Sequence, residues 1–256
     1  TSPGDTTYYI SYNSGNDNND GKSEDKAFKN LGKVNSITFK PGDKLMFKSG
    51  ETWKGYFKLR GSGSQDKPIV IESYSSGNKP KIDGNGYQAA VFIENQEYVN
   101  ISGLDLTNEA SHKNSNGSVK LMNQSSRSGE DERFGLLVLR HGSSNINDIK
   151  LDDIKISEIY PTPSNSDNNH QGYGIRFESL NDDSVLNYYD GIEIENLDIS
   201  NTGHYGIHIV NRMSGAQPDY YHRNIVIKDS KFNNTGGSGI VLARCKDVLV
   251  ENSEFK

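Results

Sequence analysis

Arg140, Arg176, His208, Arg212 and Arg244 stand at related places in the second half of this chain. His204 and Tyr205 come just before His208, and Glu178 follows Arg176 by two residues. Two chemistries could use such a set. In the first, a proton is taken from a carbon beside a carboxylate. Arg176 or Arg244 would grip that carboxylate through paired N–H donors. His208 or His204 would act as base near neutral pH, and Tyr205 as the acid for the leaving oxygen. The second chemistry splits an acetal and needs two carboxylates, ~5–5.5 Å or ~6.5–9.5 Å apart. Glu178 and Asp190 are its candidates, with Glu193 behind. A protein of net charge -6 that gathers these cations locally would attract a polyanion. The same net charge argues against a general nucleic-acid binder.

These residues sit in repeats. Phe134–Arg140, Tyr173–Ser179, Tyr205–Asn211 and Ser238–Arg244 each carry a glycine followed by an alternating strand. A second alternating strand follows each: Ile149–Asp152, Ile192–Glu195, Ile225–Lys228 and Val248–Glu251. One Asp or Asn comes next (Asp153, Asn196, Asp229, Asn252), then a short third strand ending at Ile156, Ile199, Phe232 or Phe255. The intervals between Ile149, Ile192, Ile225 and Val248 shrink as insertions disappear, towards about two dozen residues, one coil of a solenoid. Strand alternation places Ile175, Ile207 and Ile240 inward. It places Leu137, Arg176, His208 and Val241 outward, with Leu139, Glu178, Val210 and Ala243 as the next outward column. The Asp or Asn between second and third strands suits a sharp left-handed turn, and the glycine before the first strand suits another bend.

Apolar residues make up 32% of the 256, too few for one large conventional core. A ladder that buries a few residues per coil relieves that shortage. The one cysteine, Cys245, excludes an internal disulfide and reads as inert packing. No apolar run approaches the ~18 residues of a membrane span.

With these repeats the chain resembles the right-handed parallel β-helix proteins of the pectate-lyase-like superfamily. The coils are expected over residues 68–256 and a strand-and-helix cap over 1–67. The opening Tyr8–Gly21, Ala27–Val34 and Lys40–Trp53 segments are similar to the start of secreted bacterial carbohydrate enzymes of that group. Ala27–Val34 is expected as one capping helix. Related chains run on for further coils, so this sequence is expected to be part of a longer protein. Long polar insertions flank the coils that carry Arg176, His208, Arg212 and Arg244, so a groove is expected over the first strands, walled by Ser157–Gly172 and Arg212–Arg223. The cationic column on such a fold leads to the expectation of cleavage of an acidic, uronate-containing polysaccharide by β-elimination. The alternatives are a β-helix glycoside hydrolase and a non-catalytic carbohydrate-binding solenoid. For the latter, Tyr9, Tyr12, Trp53, Tyr173, Tyr189, Tyr220 and Tyr221 would offer stacking faces. The expected catalytic set is His208, Arg176, Arg244 and Tyr205. The expected binding set is Arg140, His204, Arg212, Glu178, Tyr220 and Tyr221. The sequence specifies no cofactor; calcium is the candidate, on the oxygen-rich runs Asn13–Asp20 and Asn165–Asn169. The expected partner is a polysaccharide, met by a secreted, periplasmic or cell-surface monomer.

Overall fold

The computed structural model describes residues 1–109, 132–142, 145–160, 171–180, 188–211 and 218–256. It is an all-β parallel β-helix with three strands per coil and three parallel sheets. The first sheet runs from Thr7–Ile10 through Lys44–Lys48, Ile69–Tyr74, Val99–Ser102, Ile146–Asp152, Tyr189–Glu195 and Arg223–Lys228 to Val248–Glu251. The second contains Thr52–Lys54, Lys81–Asp83, Asp105–Glu109, Lys155–Tyr160, Asp198–Thr202, Lys231–Thr235 and Glu254–Phe255. The third contains Phe57–Leu59, Ala89–Glu94, Glu132–Arg140, Gln171–Ser179, Ile207–Asn211 and Ile240–Ala243. Stacking starts with Thr7–Ile10 on Lys44–Lys48, and the first coil with all three strands starts at Lys44, ahead of the segment in which the repeat is legible.

The inward register is the expected one. Leu136, Ile175, Ile207 and Ile240 pair in one column, and Val138, Phe177, Ile209 and Leu242 in another. Ile175, Phe177, Ile207 and Ile209 are fully buried. The corner between first and second sheets is left-handed at Asp153, Asn196, Asp229 and Asn252, with φ of 51°, 53°, 51° and 48°. Asp and Asn tolerate that region at low cost. A second corner stacks Glu158, Asn201 and Asn234, also at positive φ. There each amide donates to the coil before it, Asn234 Nδ2 to Asn201 Oδ1 (2.8 Å) and Asn201 Nδ2 to Glu158 Oε1 (2.6 Å).

The glycines in or just before the third-sheet strands serve a different purpose from the expected bend. A Cβ on Gly135 would lie 2.7 Å from the Gly174 carbonyl oxygen. One on Gly174 would lie 2.5 Å from that of Gly206, and one on Gly206 would lie 2.5 Å from that of Gly239. Close approach of neighbouring coils, and not a positive φ, keeps side chains out of this column.

The second sheet carries a column of alternating charge. Lys81, Asp105, Lys155, Asp198, Lys231 and Glu254 are paired in that order across successive coils. Lys81 Nζ lies 3.5 Å from Asp105 Oδ2.

At the N-terminal end the expected Ala27–Val34 helix forms only in its second half, as an α-helix at Leu31–Asn35, with a separate 3-10 turn at Glu24–Lys26 ahead of it. Between them Phe28 is drawn into the main-chain pairing of the first strand. Its N–H donates to the Tyr9 carbonyl, and its carbonyl accepts from the Ser11 N–H, both at 2.9 Å. Those bonds hold Phe28 extended and bury its ring, so a helix cannot pass through it. Among the described residues no helix is long and apolar enough to cross a membrane.

Candidate functional site

Outward side chains of the third sheet form a second buried cluster: Ala89, Phe92, Phe134, Leu137, Leu139 and Tyr173, with Tyr205 and Leu180 packed against it. Arg176 sits within this face, 1% exposed. Strand pairing aligns it with Leu137 on one side and His208 on the other, and His208 with Val241. Burying a guanidinium is costly unless its charge and its donors are met. Here both are met. Arg176 Nη1 donates to Glu132 Oε1 at 3.0 Å and lies 3.6 Å from Glu178 Oε2. Nε and Nη2 point at His208 Nδ1, at 3.3 and 3.0 Å. The guanidinium carbon lies 4.1 Å from the Tyr173 ring centre and 5.2 Å from that of Phe134, favourable cation–π geometry. Glu132 and Glu178 are fully buried, and His208 is 9% exposed.

Aromatic rings complete the surroundings. The His208 ring stacks on Tyr173 at 5.6 Å and 20°, and meets Tyr205 edge-on at 5.3 Å. The His204 ring lies on Tyr205 at 3.7 Å. The structure thus brings together Arg176, His208, Glu178, His204 and Tyr205 from the expected set. With them stands Tyr173, one of the expected stacking faces, and the structure adds Glu132 and Phe134.

The other expected residues lie elsewhere. Arg244, at the end of the Ile240–Ala243 strand, donates to the Asn211 carbonyl at 3.4 Å. Arg140 is buried at the far end of the sheet and donates to the Gly142 carbonyl at 3.2 Å. Tyr220 offers its carbonyl to Asn211 Nδ2 (2.6 Å), and the Tyr221 carbonyl accepts from Arg223 Nε (3.4 Å). Arg212 and most of the two expected groove walls lie outside the described residues, as does Asn165–Asn169. Glu178 and Asp190 do not form the carboxylate pair. Asp190 is on the first sheet, accepting from Asn224 Nδ2 at 2.6 Å, and Glu193 there pairs with Lys150 at 2.9 Å. In the Asn13–Asp20 run, Asp17 binds the N–H groups of Lys29 and Asn30 and the Asn30 amide, so its oxygens staple a loop. Among the described residues no group of three or more acidic, histidine or cysteine side chains is placed to hold a metal ion. Of the expected stacking aromatics, Trp53 is core and donates to the Lys29 carbonyl at 2.9 Å. Tyr189 is also core, its hydroxyl donating to the Val138 and Glu178 carbonyls at 3.0 Å each. Its burial pushes its phenol well above the ordinary value.

Beside Tyr189 lies His222, fully buried, whose Nδ1 accepts the Tyr189 N–H at 3.1 Å. Burial, aided by the nearby Arg140 charge, pushes its pKa down to about 4. Cys245 is a half-buried thiol whose pKa burial pushes up to about 12, which fits an inert role.

No protein-family model matches the chain. Its sequence is similar to the lacto-N-biosidase of Bifidobacterium longum, 24% identical over 99% of this chain and 20% of that protein. Its fold is similar to that of the GH136 lacto-N-biosidase of Eubacterium ramulus. The native crystal structure matches with a TM-score of 0.76 at 22% identity, over 97% of this chain and 45% of that one. The selenomethionine derivative matches with a TM-score of 0.71 at 21% identity, over 93% and 43%. What the chain shares with these structures is the parallel β-helix. It spans about a fifth of the curated relative and less than half of the solved one.

Proposed function

We propose that this chain is the sugar-engaging β-helix of a glycoside hydrolase that acts on glycans outside the cytoplasm. The observation that carries the reading is the carboxylate pair on the outer face of the third sheet. Glu132 Oε1 and Glu178 Oε2 flank a single nitrogen of Arg176, at 3.0 and 3.6 Å, so they are at most about 6.6 Å apart. That bound admits the short spacing of double displacement. One carboxylate attacks the anomeric carbon and forms a glycosyl ester while the other, starting as the carboxylic acid, protonates the departing oxygen. The second, now ionised, then takes a proton from a water whose oxygen adds to the anomeric carbon, and the ester bond breaks to release the sugar and restore the first carboxylate. Arg176 orients both carboxylates, and the aromatic wall of Tyr173, Tyr205 and His204 offers ring faces to a sugar.

The similarity to lacto-N-biosidases supports hydrolysis over the β-elimination expected from sequence. The geometry leans the same way. Elimination needs an arginine for the substrate's carboxylate, and Arg176 already spans two carboxylates of its own chain.

The test is the full-length protein incubated with neutral and uronate-containing oligosaccharides. Release of reducing sugar without absorbance near 235 nm supports hydrolysis, and Glu132→Gln and Glu178→Gln should each then lower kcat by at least ~10²-fold. An unsaturated uronate product would restore β-elimination. Hydrolysis that survives both substitutions would move the chemistry off this face.

A further inference from the structure

We infer that Tyr56 and Tyr87 form a sugar-stacking platform on the N-terminal side of the carboxylate pair, so that a glycan lies across successive coils and extends at least two sugars beyond the cleaved bond. The nature of this ligand rests on the hydrolase reading. The two rings meet at 4.7 Å with a tilt of 59°, and both residues are half-buried. That tilt keeps them from covering each other face to face. Among the described residues Tyr87 is the one ring that Tyr56 meets. Strand register fixes their place. Phe134 pairs with Ala89 on the coil before it and with Tyr173 on the coil after it. Counting back two residues from Ala89 and from Phe134 sets Tyr87 one coil before Glu132. Tyr56 precedes Phe57, which pairs with Val91, so it stands one coil further still. Neighbouring strands are ~4.8 Å apart, close to the advance of one pyranose along a glycan. A sugar chain laid across the strands from the carboxylates therefore sets its next ring over Tyr87 and the following one over Tyr56.

Two asparagines hold the backbone under the rings. Asn35, the last residue of the Leu31–Asn35 helix, donates through Nδ2 to the Tyr56 carbonyl at 2.9 Å and accepts the Lys58 N–H at 2.8 Å. The capping helix thus clamps the chain on either side of Phe57. The fully buried Asn108 donates through Nδ2 to the Tyr87 carbonyl at 2.7 Å and to the Phe134 carbonyl at 3.1 Å. A Cβ on Gly84 would lie 2.3 Å from Asn108 Cγ, so a glycine there is what admits this amide. One side chain therefore ties the platform to the strand that carries Glu132. Rings on a fixed backbone lose little freedom when a sugar arrives. A tyrosine face is the negative side of the ring quadrupole, and it attracts the C–H hydrogens that a pyranose gathers on one face. The platform offers phenols and no charge, so its ligand is a neutral oligosaccharide.

Binding and cleavage are read separately. In the full-length protein carrying ¹³C-labelled tyrosine rings, the Tyr56 signal is the one that vanishes in Tyr56→Phe. It should move when neutral tetrasaccharides are added and move far less with their monosaccharides. Cleavage of those glycans with a Tyr56 signal that stays still would overturn the platform and leave the hydrolase reading standing. A signal that moves without cleavage would support the platform and sink the hydrolase reading. A still signal with no cleavage overturns both. Kinetics add a second measure. The gain in kcat/KM from a neutral disaccharide to a neutral tetrasaccharide should shrink by about 2- to 13-fold in Tyr56→Ala, the loss of one aromatic stacking contact. Tyr56→Phe keeps the ring face and should restore most of that gain. An equal loss for both lengths would make Tyr56 a packing residue and overturn its role. If Tyr56→Ala does not fold, the ring spectra decide alone.

Discussion

Arg176 gathers two carboxylates, an imidazole and two aromatic rings around one guanidinium, on a face where water does not supply the balance. Removing it would strand Glu132 and Glu178 in a buried site. Arg176→Met should therefore destabilise the protein by roughly 3–5 kcal/mol in urea unfolding. In Arg176→Met combined with Glu132→Gln and Glu178→Gln, much of that loss should return. His222 gives a prediction in pH. Its folded pKa of about 4 lies below its ordinary 6.5, so the unfolded chain takes up a proton first as pH falls. The stability is whole above about pH 6.5 and drains away down to about pH 4, by about 3 kcal/mol. His222→Phe should flatten that slope in denaturation curves taken across the window. Much of this site was legible in the sequence. Arg176, His208 and Glu178 are outward by simple alternation once the strand is recognised. Glu132 was not, because it lies ahead of the Phe134–Arg140 segment in which the alternating pattern is legible. Its signal was positional: Glu132 and Gln171 stand three residues before equivalent glycines, and they pair in the structure.

At the scale of elements, Gly135, Gly174 and Gly206 each make room for the carbonyl oxygen of the next glycine in the column that ends at Gly239. Gly174→Ala would press a methyl to 2.5 Å from the Gly206 carbonyl oxygen and 2.9 Å from Ile199 Cγ2. It should cost roughly 1–3 kcal/mol and lower the thermal midpoint, since neither strand can move without disturbing the next coil. Gly32, with nothing within 4 Å of an added Cβ, is the contrasting site in which the same change lacks that clash. The Asp and Asn corners were readable because a left-handed turn selects side-chain type locally. The interrupted helix at Ala27–Val34 was not. Its apolar spacing is compatible with a helix, and what breaks it is a main-chain pairing with Tyr9 and Ser11, far upstream in sequence. Local pattern carries no information about such a partner.

Across the whole molecule, each coil touches little beyond its two neighbours, so stability accumulates coil by coil. Contacts across that stack are then the means of fixing register. The charged column on the second sheet makes this testable. Lys155→Glu sets three acids side by side, with Asp105 before and Asp198 after. It should cost roughly 0.4–2 kcal/mol at low salt, from two reversed neighbours, and less as salt screens them. A loss that does not shrink with salt would assign the effect to packing. The column also bears on how such a chain can change length. The buried apolar ladder is indifferent to the number of turns, since any Ile or Leu stacks on any other. The signs are not indifferent. Excising the turn that holds Lys155 brings Asp105 against Asp198, while excising the Lys155 and Asp198 turns together brings Asp105 against Lys231. Duplication obeys the same arithmetic, so gains and losses of turns in this part of the solenoid should be tolerated in even numbers and resisted in odd ones.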